Sequence, residues 1–172
     1  MKKIFKKFLN DESLITNNGF TLIEILVVIS IIIIFLGVSL VQYNTNTQQT
    51  KLKNEGKKLV DVLELAKKKA LSADLQDKNC SNFTGYRLTT SANSYSLLFG
   101  CSSVYTSVQN YNLPTNVTIT VGTGDYNFPP LMNNPIFIGN TIRLKNSVIN
   151  KCVTISISAI GIVSLDETLV GC

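Results

Sequence analysis

The sequence has no histidine and no tryptophan, and its second half has few charged residues. Histidine is the commonest general base near neutral pH and a frequent metal ligand, so its absence disfavours a catalytic protein. No serine or acidic residue is placed beside a base that could activate a nucleophile, and we expect neither an enzyme nor a cofactor. From residue 81 onward serine, threonine and asparagine fill most polar positions, and the charged residues are Arg87, Asp125, Arg143, Lys145, Lys151, Asp166 and Glu167. This composition is typical of an exported β-rich domain.

The formal net charge of +5 owes much to four lysines ahead of Gly19: Lys2, Lys3, Lys6 and Lys7. The rest of the chain carries only a mild excess of positive charge, whereas nucleic-acid binding needs a clustered basic face. The run of lysines at 67–69 is typical of a solvated helix face. We therefore expect no nucleic-acid partner.

The chain has four cysteines, none in a C-x-x-C pair: Cys80, Cys101, Cys152 and Cys172. A zinc site would need all four thiolates, because no histidine is present to replace one, so a metal site is poorly supported. As disulfide candidates, four cysteines allow three pairings. Pairing nearest neighbours would close loops of roughly 20 residues, each contributing ~3 kcal/mol on the loop-entropy model. Free buried thiols are the alternative, although a terminal cysteine is rarely buried unless the tail is tied down.

Residues 20–41 form an apolar stretch interrupted only by Thr21, Glu24, Ser30, Gly37 and Ser39. As a helix it would span roughly 33 Å at ~1.5 Å per residue, enough to cross a bilayer core. One interpretation is a cleaved secretory signal peptide, but such cores run about 7–15 residues and a charge inside one fits badly. Another is an uncut membrane anchor that tolerates Glu24 near the interface.

A third interpretation explains the carboxylate. Gly19 is followed by Phe20, by Glu24 four residues later, and then by a run of isoleucine, leucine and valine. This arrangement resembles the class III signal of type IV pilins and type II secretion pseudopilins. The resemblance implies that residues 1–19 are a leader removed by a prepilin peptidase, that Phe20 is then N-methylated, and that residues 20–41 anchor the chain and later assemble it.

The same resemblance implies a role for Glu24 in subunit assembly. An ionised group at mid-bilayer costs about 2.5–3.5 kcal/mol even on the lenient insertion scale. The Phe20 amine of a neighbouring subunit could pair with Glu24, so that each charge offsets the desolvation of the other. The implied partners are the prepilin peptidase, other pilin or pseudopilin subunits, an inner-membrane assembly platform and, before assembly, membrane lipid.

The chain departs from the family pattern in two ways. Many members have a proline about 22 residues after the cut, where this chain has Val41, so we expect a straighter helix with Gly37 as its weak point. The leader of 19 residues is also longer than many. Lysines on both sides of the stretch nearly balance, so the positive-inside rule does not decide the orientation. The resemblance places the leader in the cytoplasm and the head outside it.

Beyond the apolar stretch, leucines and alanines recur with helical spacing and predict one buried stripe, widened by Val62 and Leu65. Its members are Leu52, Leu59, Leu63, Ala66, Ala70 and Ala73. We expect one long helix over about residues 20–77, loosened around 42–50, of which residues 42–78 are the amphipathic half.

Residues 79–172 are predicted to form a β-rich head, which makes the fold class α+β. Expected strands are 86–90, 95–99, 104–108, 117–121, 136–138, 141–144, 153–158 and 162–165, with a loop at 122–135 and a turn at Ile160-Gly161. Segments 67–73, 86–99 and 153–165 resemble minor pseudopilins and minor pilins, and a Cys152–Cys172 bridge would resemble the C-terminal disulfide of many type IV pilins. We predict a minor fibre subunit; the alternative is a membrane-tethered binding module that does not polymerise.

Overall fold

The computed structural model of the chain describes residues 21–76, 79–130 and 140–172. These residues form one helix and eight strands: α1 (Leu22–Leu71), β1 (Phe83–Thr90), β2 (Ser94–Cys101), β3 (Val104–Asn112), β4 (Val117–Val121), β5 (Gly124–Phe128), β6 (Asn140–Asn146), β7 (Lys151–Ile157) and β8 (Val163–Gly171). The chain divides into two compact units, Met1–Val41 and Gln42–Cys172. The predicted α+β class is confirmed, because one long helix packs on two antiparallel sheets.

The predicted stripe on the second part of α1 is buried except at Ala73, which is exposed and lies beyond the end of the helix. Leu52, Leu59, Leu63 and Ala66 have no exposed surface, and Ala70 is 1% exposed. Leu65 differs from the prediction, because it is 37% exposed. With 3.6 residues per turn, Leu65 lies on a side of the helix that is turned away from the stripe facing the core.

Helix α1 ends at Leu71, earlier than the expected end near residue 77. Ala73 takes a positive φ of 50°, while its N–H donates to the Ala70 carbonyl and the Asp74 N–H donates to the Lys69 carbonyl. These two hydrogen bonds define a Schellman motif, which usually has glycine at the left-handed position. Because alanine and not glycine occupies the left-handed position, the sequence shows no stop signal, and hydrophobic periodicity predicted a helix that continued past its actual end.

Each sheet contains four antiparallel strands, in the order β3-β2-β1-β5 in sheet A and β4-β6-β7-β8 in sheet B. Along β6 and β7 buried side chains alternate with partly or fully exposed ones, except that Cys152 and Val153 are both buried, as expected for a sheet with one face on the core. The second part of α1 and the inner faces of both sheets share one core. Its aromatic members are Tyr86, Tyr95, Phe99, Tyr126 and Phe128.

Gly56, which is buried in the middle of α1, lies against sheet B. A Cβ placed at Gly56 would lie 3.2 Å from Leu165 Cδ1 and 3.3 Å from Val153 Cγ2. Glycine in a helix interior costs about 1 kcal/mol relative to alanine. The close contact with β7 and β8 leaves little room for a side chain, which explains why glycine occurs at this position of the helix.

The turn predicted at Ile160-Gly161 is confirmed as the β7–β8 connection, and the strands predicted at 86–90 and 95–99 lie within β1 and β2, which pair with each other. The loop predicted over residues 122–135 is wrong in part, because β5 (Gly124–Phe128) lies inside it and pairs with β1. Glycine and proline near Asp125 and Asn127 are typical of a loop. The strand forms nevertheless, because it pairs with a distant part of the chain. The strand expected at 136–138 lies outside the described residues.

Candidate assembly segment

Helix α1 begins with an N-terminal cap formed by Thr21. The backbone N–H of Glu24 lies 3.0 Å from the Thr21 carbonyl oxygen and 3.3 Å from Thr21 Oγ1, donating to both. The N–H of Ile25 also donates to the Thr21 carbonyl, at 3.2 Å. A threonine with a glutamate three residues later has the spacing of a capping box, which satisfies N–H groups that the first helical turn leaves without a partner. The T-x-x-E spacing predicts this cap, and reasoning from hydropathy alone misses it.

Glu24 lies in the first turn of α1 with an exposed side chain. A carboxylate in the first turn is favoured by the positive end of the helix dipole. Gly19 and Phe20, the predicted cleavage and methylation positions, lie outside the described residues. The pairing of Glu24 with a Phe20 amine therefore stays a prediction.

The first part of α1 presents a continuous apolar surface. Every large apolar side chain from Leu22 to Leu36 is exposed, between 48% for Ile31 and 83% for Leu22. The most apolar window of this helix has a mean hydropathy of 2.9, and none of it is buried. Among the described residues, α1 is the one helix long and apolar enough to cross a membrane. Exposed apolar side chains are common singly, but a contiguous surface of this size marks a site for lipid or for another protein.

The polar segment that follows is tied to the head through Asn146, a fully buried residue at the end of β6. Its Nδ2 donates to Gln48 Oε1 at 3.0 Å and approaches the Gln48 carbonyl oxygen at 3.5 Å. Its Oδ1 accepts from the N–H groups of Val148, at 2.9 Å, and Ile149, at 3.4 Å. Because a buried amide is costly unless hydrogen-bonded, Asn146 fixes Gln48 against the β6–β7 turn.

The four cysteines form two disulfides, Cys80–Cys101 and Cys152–Cys172. This is the nearest-neighbour pairing among the three that the sequence allows. The first bridge ties the segment before β1 to the end of β2, and the second ties the residue after β8 to β7. Cys152 has no exposed surface, so the second bridge also contributes to the packing of sheet B.

The C-terminal end of α1 is held by Asp74. Its carboxylate accepts a hydrogen bond from Lys69 Nζ at 2.5 Å and another from the Gln76 N–H at 2.9 Å. The Lys69 hydrogen bond, supported by the Gln76 N–H, holds the pKa of Asp74 below its usual value. The Tyr86 hydroxyl donates to the Asp74 carbonyl at 2.7 Å, and burial raises the pKa of Tyr86 to about 12. Part of the lysine run predicted to be solvated therefore closes the helix.

On the outer face of sheet A, Arg87 of β1 is held by two side chains of the adjacent strand β5 and by one of β3, which lies beyond β2. Its Nε donates to Asn127 Oδ1 at 2.6 Å, and its Nη1 lies 3.0 Å from Asp125 Oδ2. Its guanidinium carbon lies 3.6 Å from the centre of the Tyr105 ring. Neither hydropathy nor motif searching singles out this cluster, because cross-strand register creates it. Its charges are paired within the head.

Within the described ranges, no group of three His, Cys, Asp or Glu side chains is placed to bind a metal ion. A groove of about 510 Å³ runs along α1, and its described lining lies between Tyr43 and Lys58. The charged pair in this groove joins Glu55 Oε1 and Lys58 Nζ at 2.7 Å, one turn apart on the helix. The absence of enzymatic activity, metal and cofactor stays a prediction.

Comparisons with known proteins bear on the N-terminal segment. The family model described as the prokaryotic N-terminal methylation motif matches residues 16–40. No curated protein and no solved structure gives a match. The matched segment contains Gly19, Phe20 and Glu24 and most of the exposed apolar surface of α1. Residues 16–40 therefore carry the signature of type IV pilins and pseudopilins.

Proposed function

We propose that the chain is a prepilin-like structural subunit, cleaved by a prepilin peptidase after Gly19 and N-methylated at Phe20. The mature subunit is built into a type II secretion pseudopilus or a type IV pilus as a minor subunit. The observation that carries the proposal is the match of residues 16–40 to the methylation motif, together with an apolar helical surface that the chain leaves uncovered.

In this proposal the apolar surface has two successive environments. In the inner membrane, with the head outside the cytoplasm, lipid covers the side chains from Leu22 to Leu36. During assembly, helices of neighbouring subunits replace the lipid. Apolar surface stays covered throughout this exchange. The free-energy difference between the subunit in the membrane and the subunit in the fibre therefore depends on helix packing and on the polar groups at the start of the helix.

Glu24 is the polar group that gives this exchange its register. Cleavage creates a positive amine at Phe20, and the Thr21 cap places Glu24 in the first turn of the helix. A Glu24 carboxylate that meets the Phe20 amine of the next subunit neutralises both charges in a region of low dielectric. Removing one partner of a buried ion pair costs about 3–5 kcal/mol, because the other charge stays buried without compensation.

The first experiment determines the mature N-terminus. The chain is produced in a bacterium with an active prepilin peptidase, and the membrane fraction is analysed by N-terminal sequencing and mass spectrometry. N-methylphenylalanine at position 20 is the expected result, and Gly19→Leu should abolish processing. An intact Met1 in a correctly inserted chain would instead favour a tethered module that does not polymerise.

The second experiment compares two glutamates of the same helix. Glu24→Gln should abolish incorporation into sheared fibres while leaving membrane insertion unchanged, because it removes the charge that pairs with Phe20. Glu64→Gln removes the same charge from the second part of α1 and should leave incorporation near the wild-type level. Normal incorporation of the Glu24→Gln subunit would contradict the proposed assembly role.

A further inference from the structure

The turn between β6 and β7 presents an exposed apolar side chain between two lysines, and this arrangement is not explained by the fold or by the assembly helix. It reads Lys145-Asn-Ser-Val-Ile-Asn-Lys151, with Val148 52% exposed at its tip and a lysine on each side. Both lysines are partly exposed, and neither makes an ion pair among the described residues. An exposed apolar side chain between two such lysines suits a membrane interface, in which anionic headgroups cover an apolar interior.

The tip is held in a fixed position. Asn146 is fully buried and accepts the N–H groups of Val148 and Ile149 with its Oδ1. The Ser147 N–H donates to the Asn116 carbonyl at 2.9 Å, which attaches the turn to the segment before β4. Val148 is therefore presented by a supported turn, and its exposure is a property of the folded head.

The surroundings of the tip reinforce its positive charge. Two neighbouring turns, residues 91–93 and 113–116, are linked to each other by a hydrogen bond from the Leu113 N–H to the Asn93 carbonyl. Neither of these turns, nor residues 147–150, contains an aspartate or a glutamate. Lys51 Nζ lies 3.4 Å from the Thr115 carbonyl oxygen and adds a third cation at this end of the head.

Few residues of the sequence separate this end of the head from the apolar segment. Asn146 is hydrogen-bonded to Gln48, which follows Val41, the last residue of the apolar stretch, by seven residues. Tyr43, 73% exposed, occupies the step between them, and tyrosine is enriched at membrane interfaces. An anionic membrane surface attracts nearby lysines by about 1 kcal/mol each, within roughly a Debye length.

We propose that the β6–β7 turn is a lipid-contacting site of the head, which binds anionic phospholipid headgroups through Lys145 and Lys151 and inserts Val148 among them. The inference rests on the membrane-anchored stage of the proposed function. The contact would set how the head lies on the bilayer before assembly, and it would have to be broken when the subunit leaves the membrane.

The absence of tryptophan from the chain gives a direct test. Val148→Trp places the only tryptophan of the full-length chain at the tip, and the chain is reconstituted into vesicles without peptidase or assembly proteins. Bromine atoms on the lipid chains close to the headgroups quench tryptophan that enters the interface. We expect quenching and a blue-shifted emission in vesicles that contain phosphatidylglycerol, and weaker quenching in phosphatidylcholine alone.

The matched control is Ile160→Trp in the β7–β8 turn, at the other end of β7. Ile160 is 71% exposed, and its turn is attached to Lys67 through a 2.7 Å hydrogen bond from Nζ to the Gly161 carbonyl. Lys67 lies 19 residues beyond Gln48, or roughly 28 Å along α1. This tryptophan has the same intrinsic affinity for an interface, but it should not be quenched.

A charge test separates headgroup binding from apolar contact. Lys145→Gln and Lys151→Gln in the Val148→Trp chain should each lower the ratio of bound to free tips by about fivefold, and added salt should have a similar effect. Lys68→Gln removes one charge from an exposed position elsewhere and should change nothing. Equal quenching at positions 148 and 160, no quenching at 148, or indifference to both lysines and lipid charge would overturn the proposal. Because fibre assembly is absent from the assay, these outcomes are independent of the Glu24 and N-terminal experiments.

Discussion

The two parts of α1 are equally helical but are stabilised by different surroundings. From Leu22 to Leu36 the large apolar side chains are exposed, whereas Leu52, Leu59 and Leu63 have no exposed surface. The first part is apolar on every side, and the second has apolar residues on one stripe. A stripe can be satisfied by sheets of the same chain, but an all-round apolar surface needs lipid or other helices. The comparison shows that one helix can serve two environments through a change of hydrophobic pattern alone.

The largest expected effect contrasts leucine and isoleucine truncations in the two parts. Leu59→Ala removes a fully buried side chain and should destabilise the head by about 2–5 kcal/mol, because the cavity it leaves can collapse only partly. Ile31→Ala, at a position 48% exposed, should leave head stability unchanged. Urea unfolding of the full-length chain in detergent, followed by near-ultraviolet circular dichroism, measures both. Equal losses would show that the first part also packs on the head.

Removing the disulfides should weaken only the second unit. The bridges close chain separations of 21 and 20 residues, so each contributes about 3 kcal/mol on the loop-entropy model. Cys152→Ser with Cys172→Ser should cost more than Cys80→Ser with Cys101→Ser, because it also places a hydroxyl at the fully buried Cys152 position. Denaturant midpoints of the two double variants test the order. Membrane insertion, which depends on the first part of α1, should not change.

The two glycines of α1 provide a smaller contrast. Gly56→Leu should destabilise the head by about 1–2 kcal/mol, since overpacking against Leu165 and Val153 exceeds the gain in helix propensity. A Cβ added at Gly37 would meet no atom within 4 Å, so Gly37→Leu should leave the urea midpoint unchanged. A stabilising effect of Gly56→Leu would mean that β7 and β8 move apart easily at this contact.

The smallest expected effect concerns pH at the C-terminal end of α1. The pKa of Asp74 is lowered by the Lys69 hydrogen bond and the Gln76 N–H, so its carboxylate stabilises the folded state above its unfolded pKa. That contribution is lost as the pH falls through the lowered value, below about pH 4. Asp74→Asn should therefore be less stable than the parent at neutral pH, and the difference should shrink in acid. Asp61→Asn, an exposed acid without an ion pair among the described residues, is the control. Parallel stability curves for parent and Asp74→Asn would contradict this role.

Prediction from the sequence succeeded where the pattern is local and periodic. The buried stripe, the strand predicted at 153–158 and the turn at Ile160-Gly161 all follow from spacings within a few residues. It failed at the end of the helix, because Ala73 adopts a conformation usually reserved for glycine. It also failed at β5, whose strand character comes from pairing with β1 rather than from its own residues.

The sequence by itself determined the apolar segment, its single carboxylate and the motif that joins them, because each depends on the order of residues along one helix. Tertiary structure alone decided which cysteines pair, which side chains Gly56 faces and how Asn146 ties Gln48 to the lysine-flanked turn. These features join residues far apart in the chain, and their free energy comes from distances that no local pattern contains. The cross-strand registers of the two sheets set those distances, and with them the surfaces that the head presents.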